Sequence, residues 1–238
     1  MKILITSGGT KIPIDEVRHI GNMSHGTLGA KLAKDALIGN NEVIFFCAEG
    51  SKTPMSANIN YQKMTPEACG KAMNEVSSMW NVYGYCYTEI QYKSFWDYQS
   101  KLPLIISLYK PDVVILAAAV SDYETENVIQ GKIRTGGDLN IALKPLPKVI
   151  SEVRNCAGPD AFVIGFKLLV GVPETDLIKS AEDSIVKNKL NLVCANDLRT
   201  LQAGNHKILL VKPENQMVQE TDPEHLWQAI SKMVKEKK

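Results

Sequence analysis

Short apolar, β-branched runs alternate along the chain with longer segments in which apolar residues recur at helical spacing. The short runs begin at Lys2, Glu42, Val113, Ala161 and Leu190, and they predict strands. The run that begins at Val113 is apolar on both faces, as a central strand of a parallel sheet must be. This alternation predicts an α/β fold with a mostly parallel sheet flanked by helices.

Several helix ends carry capping signals. A helix that begins at Thr27 is expected to end near Gly39, where a glycine and two asparagines are typical of a C-cap. Thr65 followed by a proline is typical of an N-cap and a first helical residue, and it predicts a helix that runs towards Trp80. Asp222 is expected to cap a last amphipathic helix in the same way.

Some segments do not fit this simple alternation. Pro103 interrupts a plausible helix, and residues 138–143 alternate like a strand without an obvious place in a parallel sheet. We expect a single α/β domain over residues 1–238. Within it, residues 132–145 and 205–220 are predicted to be excursions from the regular pattern, the second of them as a hairpin.

The composition excludes several classes of protein. With 45% hydrophobic and 22% charged residues, the chain is not expected to be disordered, collagen-like or a disulfide scaffold. Lys and Arg number 27 against 26 Asp and Glu, so the formal net charge is +1. Binding to a phosphate backbone normally needs a basic excess or a basic block, and we therefore expect no nucleic acid partner.

Apolar runs and cysteines bear on the cellular location. A membrane helix needs about 20 apolar residues, which no run here approaches, so no membrane partner is expected. The five cysteines are scattered and lack a C-x-x-C pair, which favours reduced thiols over disulfides or zinc. The first residues leave no room for a secretory signal. Together these features predict a cytoplasmic protein.

Three polar clusters stand where predicted strands end or the first helix begins, and open parallel sheets bind ligands at that edge. The clusters are Ser7-Gly8-Gly9-Thr10, then Asn22 with Ser24-His25-Gly26, then Ala117-Ala118-Ala119 with Asp122. Glycine N–H groups and hydroxyls can surround an anion, a helix start adds unpaired N–H groups, and small alanines leave room for a flat ligand. The clusters therefore predict a binding site for a phosphorylated ligand.

The first two clusters also have plainer interpretations. The first could be a tight turn, Asn22 or Ser24 could simply cap the helix, and His25 could be a solvated loop residue. The second cluster does not match the G-x-G-x-x-G dinucleotide pattern, which weakens the alternative of an NAD(P)- or flavin-dependent oxidoreductase. A non-catalytic nucleotide-binding protein is a further alternative. Lys132 and Arg134, beside two glycines, are typical of a lid over a triphosphate, although an ordinary surface lysine is also possible.

The chain resembles phosphopantothenoylcysteine synthetase, the ligase of coenzyme A biosynthesis, in its stand-alone form. The strings that carry the resemblance are, in order, ILITSGGT, PIDEVRHIGN, SHGTLG, DVVILAAAVSDY, KIRTGGDLNIALK, PKVI, FVIGFK and NLVCAND. The resemblance implies a Rossmann-like sheet with a small antiparallel dimerisation extension, to which 132–145 and 205–220 would contribute a lid and dimer strands. It also implies a homodimer.

The resemblance further implies a reaction in two halves. CTP or ATP would activate the carboxylate of 4'-phosphopantothenate as an acyl nucleotide and release pyrophosphate, and the amine of L-cysteine would then form the amide. Joining a carboxylate to a phosphate opposes like charges, so Mg2+ and protein cations are expected at the site.

Residue roles follow from the same resemblance. Lys132 would stabilise the triphosphate, Asn22 would engage the acyl group, and Arg18 would lie near the same site. Nucleotide contact is implied for Ser7, Gly8, Gly9, Thr10, Ala117, Ala118, Ala119, Asp122 and Phe166, and contact with the substrate phosphate for Ser24, His25 and Gly26.

The choice between CTP and ATP stays open on the sequence. Ser184 and Asn188 stand where CTP-dependent members commonly have lysines, although Lys187 or Lys189 could replace those. The strings Gly-Phe-Lys and Pro-Lys are closer to the eukaryotic pattern, which uses ATP.

Overall fold

The computed structural model describes residues 1–56, 63–213 and 218–237. The strands are β1 (Lys2–Ser7), β2 (Lys11–Pro13), β3 (His19–Gly21), β4 (Glu42–Ala48), β5 (Tyr87–Tyr92), β6 (Val113–Leu116), β7 (Tyr123–Thr125), β8 (Leu143–Pro145), β9 (Phe162–Leu169), β10 (Leu192–Asp197), β11 (Ile208–Val211) and β12 (Val218–Thr221). The helices are α1 (Thr27–Ile38), α2 (Pro66–Tyr83), α3 (Phe95–Tyr109), α4 (Ile150–Ala157), α5 (Glu174–Asn188), α6 (Leu198–Gln202) and α7 (Leu226–Lys237), and a 3-10 turn spans Gly84–Cys86.

Eight strands form one sheet in the order β12-β11-β10-β9-β6-β1-β4-β5. The pairs from β10 to β5 are parallel, and β11 and β12 join antiparallel at one edge. The α/β fold with a mostly parallel sheet is therefore confirmed. Because β1 lies at the centre between β4 and β6, its carboxyl end opens between two parallel neighbours, where ligands bind in sheets of this kind.

Apolar side chains cover both faces of the sheet. Along β1, Leu4 packs into a core with α3, α4 and α5, whereas Ile3 and Ile5 pack into a second core with α1 and α7. This two-sided burial explains why the central strands are continuous apolar runs instead of alternating ones. The two cores fix the orientation of α1, whose first turn lies at the candidate site.

The predicted capping signals are confirmed where the chain is described. The Thr65 hydroxyl accepts a hydrogen bond from Ala68 N at 3.2 Å and caps α2. Asp222 Oδ1 accepts hydrogen bonds from the N–H groups of Glu224 and His225 ahead of α7, at 2.8 and 3.0 Å. Short polar side chains at these positions satisfy N–H groups that a helix start leaves unpaired.

The prediction that Pro103 interrupts a helix is wrong. Helix α3 continues through it, and the helix buries Leu102, Ile105 and Ile106 in the first core. A proline removes one helical hydrogen bond, and the apolar burial on both sides outweighs that loss.

The structure shows where the two predicted excursions lie. Of residues 138–145, only Leu143–Pro145 forms a strand, and it pairs with β7 in a separate two-stranded sheet. The later hairpin, β11 and β12, extends the main sheet instead of projecting from it, and its turn at 214–217 lies outside the described residues. The role of either segment in a dimer stays a prediction.

Within the described ranges, each helix is too short or too polar to cross a membrane.

Candidate active site

Backbone hydrogen bonds join the first and third polar clusters. Where β1 ends, Gly8 O accepts a hydrogen bond from Ala119 N at 2.8 Å, and Thr10 N donates to Ala119 O at 3.2 Å. Gly8 has a φ of +83°, and a Cβ there would lie 2.7 Å from Ala48 Cβ, so only glycine fits this turn without strain. The Thr10 hydroxyl extends the link, because it donates to Ser121 Oγ at 2.9 Å and accepts from Ser121 N at 2.8 Å.

The second cluster packs against the same turn. Ser7 Oγ donates to Gly26 O at 3.1 Å. A Cβ at Gly29 would lie 2.4 Å from Ser7 Oγ, and one at Gly9 would lie 3.0 Å from Asn22 O. These glycines therefore let the start of α1, the Asn22 segment and the end of β1 approach one another more closely than side chains would allow.

Asn22 and Ser24 do not cap α1, so that interpretation is wrong. The N-cap of α1 is Gly26, at a φ of +75°, and no side chain in the described ranges caps the helix. Asn22 Nδ2 instead donates to Ala119 O at 3.0 Å, which ties the second cluster to the third. The first N–H groups of α1 therefore have no capping side chain among the described residues, which suits them to bind a phosphate. His25 is exposed, and its carbonyl accepts a hydrogen bond from Lys52 N.

Buried hydroxyls support the turn from below. Tyr92 O–H donates to Ser7 O at 2.7 Å, and the Thr6 hydroxyl accepts a hydrogen bond from Ala118 N at 3.2 Å. The sequence reasoning missed Tyr92 because it did not identify β5. These bonds fix the ends of β1 and β6 relative to each other, which preorganises the site.

The remaining nucleotide-contact candidates lie around this centre. Ala117, Ala118 and Ala119 follow β6 and are half-buried. Phe166 stands one residue beyond the Leu116–Gly165 pair of β6 and β9 and packs on the second core. Asp122 is exposed and forms a short ion pair with Lys148.

Arg18 and Lys132 lie apart from the strand ends. Arg18 pairs with Asp15 in the turn between β2 and β3, and its guanidinium also donates to Ile133 O at 3.3 Å. Lys132 is exposed on the loop that contacts this turn. Arg18 thus contacts the lid loop, whereas Asn22 contacts the strand ends. The predicted site residues therefore lie in two groups, one at the lid loop and one at the strand ends. The sequence reasoning missed Asp15. An aspartate in a polar loop is a usual signal of a side chain that accepts hydrogen bonds from the N–H groups just after it.

The described part of the chain contains no dense cluster of metal ligands, and one thiol lies beside the first polar cluster. No group of three or more His, Cys, Asp or Glu side chains there could hold a metal ion. Cys47 stands beside Ser7 in the sheet, and its burial raises the pKa of the thiol to about 11, so it stays protonated at neutral pH. Two surface grooves, of about 700 Å³ between α1 and α2 and about 240 Å³ between α3 and α4, contain no predicted site residue.

Comparison with known proteins identifies the family. Residues 1–80 and 104–237 match the family model described as DNA/pantothenate metabolism flavoprotein C-terminal domain. The chain belongs to this family. The resemblance inferred from the ordered motifs is thereby confirmed, and residues 81–103, which include β5, fall outside the matched ranges.

Relatives and a solved structure in this family have informative names. The chain is 29% identical to the coenzyme A biosynthesis bifunctional protein CoaBC of Thermococcus kodakarensis over 98% of its own length and 51% of that protein. It is 32% identical to phosphopantothenate–cysteine ligase 1 of Oryza sativa subsp. japonica over 82% of its length and 68% of that protein. A Cab2 mutant in complex with phosphopantothenate-cysteine superposes with a TM-score of 0.78 at 27% identity, over 97% of this chain and 88% of that one. The chain thus spans about half the length of the bifunctional relative.

Proposed function

We propose that this protein is a phosphopantothenate–cysteine ligase that forms an acyl nucleotide and then an amide. The observation that carries the proposal is that the three polar clusters meet at Ala119. The backbone of this residue, in the third cluster, bonds Gly8 and Thr10 of the first cluster and Asn22 of the second. That arrangement fits an anion-binding site at the carboxyl edge of the sheet. The names of the plant and yeast relatives support the substrate class.

The first half-reaction is the attack of the 4'-phosphopantothenate carboxylate on the α-phosphorus of CTP or ATP, with pyrophosphate as the leaving group. Negative charge accumulates on the phosphate oxygens, and backbone N–H groups at the first turn of α1 and around Gly8 are suited to stabilise it. In this proposal Lys132 supplies the cation when the lid loop closes over the triphosphate. Lid closure would also exclude water from the mixed anhydride.

The second half-reaction is the attack of the cysteine amine on the acyl carbon, which forms the amide and releases the nucleoside monophosphate. Asn22 is suited to orient the acyl oxygen because its side chain does not titrate. Its Nδ2 is held by Ala119 O, whereas its Oδ1 bonds none of the described residues and is available to a ligand. Arg18 contacts Asp15 and the lid loop, and it would influence the reaction through those contacts.

Mg2+ fits the residues present as an ion carried by the triphosphate. Protein sites for Mg2+ commonly supply one or two carboxylates and leave the remaining positions to phosphates and water. Asp122 is the exposed carboxylate of the third cluster, and it would be that ligand once released from its ion pair with Lys148. When bound, the ion would neutralise charge on the phosphates.

A homodimer in the cytoplasm is part of the proposal. Large apolar side chains are exposed on and beside the small β7–β8 sheet, including Tyr123, Leu139 and Leu143. An exposed cluster of this kind is typical of an interface. The five thiols are unpaired, as a reducing compartment requires. Sedimentation equilibrium would test the dimer.

The decisive experiment measures pyrophosphate release with CTP or ATP, Mg2+, 4'-phosphopantothenate and cysteine. Release should require 4'-phosphopantothenate, and Lys132→Gln should lower the rate of the activation step about 10²-fold or more because a transition-state cation is lost. Lys232→Gln, which changes an exposed lysine on α7, is the matched control and should leave the rate unchanged.

Two results would each contradict one part of the proposal, the ligase activity or the role of Lys132. Failure of both nucleotides to release pyrophosphate would exclude the ligase, and calorimetric nucleotide binding without turnover would then favour the non-catalytic alternative. Wild-type activity in Lys132→Gln would leave the ligase intact and remove Lys132 from its mechanism. Initial rates at matched concentrations would decide between CTP and ATP.

A further inference from the structure

A buried carboxylate attaches the lid loop to the rest of the chain. The side chain of Asp15 is 0% exposed, in the turn between β2 and β3. Its Oδ1 accepts hydrogen bonds from the N–H groups of Val17 and Arg18 at 2.9 and 2.6 Å. Its Oδ2 accepts one from Ile133 N at 3.1 Å and one from Arg18 Nη1 at 2.8 Å. Three of these donors come from its own turn, and the fourth comes from the distant lid loop.

The contacts lie on both sides of Lys132. Gly131 O accepts a hydrogen bond from Glu16 N at 3.2 Å, and the N–H and C=O of Ile133 bond Asp15 and Arg18. The residues before and after Lys132 are therefore held against the turn, while the Lys132 side chain is exposed. A loop held in this way presents its lysine from a defined backbone position.

The charge of Asp15 matters to these contacts. Burial alone would raise the pKa of its carboxyl, but the N–H groups of Ile133, Val17 and Arg18 and the Arg18 guanidinium lower that pKa below its usual value of 3.8. The group is thus ionised at neutral pH, and hydrogen bonds to an ionised acceptor are stronger than neutral ones. An asparagine of the same shape would direct an NH2 group at donors that need an acceptor.

We propose that Asp15 is a positioning residue, whose carboxylate holds the lid loop at Ile133 and thereby sets the backbone of Lys132 for the reaction. The inference rests on the proposed function for its catalytic consequence, because Lys132 acts on the triphosphate only there. The attachment of the loop is independent of that function. Asp15 acts through Lys132 and does not contact the reacting atoms.

Limited trypsin digestion tests the attachment without any substrate. Trypsin cuts after lysine and arginine, and Lys132 and Arg134 flank the residue that Asp15 holds. Asp15→Asn should raise the cleavage rate at these two positions about tenfold, because cleavage requires local release of the loop. Arg18→Gln keeps the carboxylate and should raise the rate less.

Asp97→Asn is the matched control for the digestion. Asp97 also accepts a backbone hydrogen bond, from Lys93 N at 3.0 Å, and pairs with Lys101 at the start of α3. Its loss should leave cleavage at Lys132 and Arg134 at the wild-type rate. Equal cleavage in wild type and Asp15→Asn, at a temperature where both are folded, would overturn the attachment.

Kinetics of pyrophosphate release test the positioning role. Asp15→Asn should lower kcat about 10- to 100-fold, because a small displacement of a catalytic group has effects of that size, and should leave KM for the nucleotide within roughly twofold. The double variant with Lys132→Gln should be no slower than Lys132→Gln alone.

The outcomes separate the two proposals. Faster cleavage with wild-type kcat, or losses that multiply in the double variant, would overturn the positioning role while leaving the attachment in place. A wild-type protein that releases no pyrophosphate would exclude the proposed function, and the positioning role with it, whereas the trypsin result would still decide whether Asp15 holds the loop.

Discussion

Replacing Gly29 with alanine tests how closely α1 approaches the end of β1. Gly29 is buried in α1, and an added Cβ would lie 2.4 Å from Ser7 Oγ and 2.7 Å from Ser7 Cβ. Apolar carbon atoms pack at about 3.5–4.0 Å, so α1 or the turn at Ser7 must move by about 1 Å. Because Ser7 is followed by Gly8, that movement would displace the proposed anion site.

The magnitude follows from two opposing effects. Alanine is about 1 kcal/mol more favourable than glycine in a helix. Overpacking a tight contact costs about 1–3 kcal/mol. Gly29→Ala should therefore lower the free energy of unfolding by about 0–2 kcal/mol, which corresponds to a decrease in Tm of up to about 8 °C for a protein of this length.

Gly70→Ala supplies a matched control. Gly70 is an exposed glycine in α2, and outside its chain neighbours and its own helix backbone no described heavy atom lies within 4 Å of its added Cβ. It should gain about 0.5–1 kcal/mol, with a rise in Tm of about 1–4 °C, because only the helix preference operates. The difference between the two variants in thermal and urea denaturation isolates the contact with Ser7.

Calorimetry with CTP and ATP completes the test, since Gly29→Ala should weaken nucleotide binding and Gly70→Ala should not. If Gly29→Ala stabilises the protein as much as Gly70→Ala does, α1 does not approach β1 closely, and the site is not preorganised by this contact.

Two further substitutions test the supports of the site. Tyr92→Phe removes the hydroxyl that donates to Ser7 O and should cost about 1–2 kcal/mol in denaturation, more than Tyr98→Phe, whose hydroxyl makes only a 3.5 Å contact; equal losses would contradict a special role for Tyr92. Burial raises the pKa of Asp197, but the N–H groups of Val172, Thr200, Arg199 and Gly171 lower it below the usual 3.8. This carboxylate therefore stabilises the fold above about pH 4 and ceases to do so as the pH falls through its folded pKa, so Asp197→Asn should show a shallower decrease in Tm on acidification than wild type; parallel curves would contradict this.

The meeting of the first and third clusters could be predicted from the sequence because it follows from topology. Parallel strands bring their carboxyl ends to one edge, so turns after β1 and β6 must be neighbours once both strands are assigned. The approach of Asn22 to that edge could not be derived in this way, because it depends on the path of β2 and β3, which are three residues each and carry too little periodic signal.

The errors have causes that lie outside the local sequence. A proline signals a helix break through its own geometry, whereas the burial of Leu102 and Ile106 that keeps α3 intact depends on the assembled core. Asp15 lies within the string PIDEVRHIGN, but its partner Ile133 is 118 residues away. A contact between residues so far apart cannot be inferred from a single sequence.

The β2–β3 hairpin connects the two halves of the proposed chemistry. At one end, Thr10 and Asn22 are bonded to Ala119; at the other, Asp15 holds the lid loop. The Thr125 hydroxyl donates to Pro13 O at 2.8 Å and fixes the hairpin between these ends, which are roughly 10–15 Å apart along a strand. A hairpin that is bonded at both ends links the position of Asn22 to that of Lys132. A change within the hairpin should therefore disturb both half-reactions, whereas a change in the lid itself should disturb activation alone.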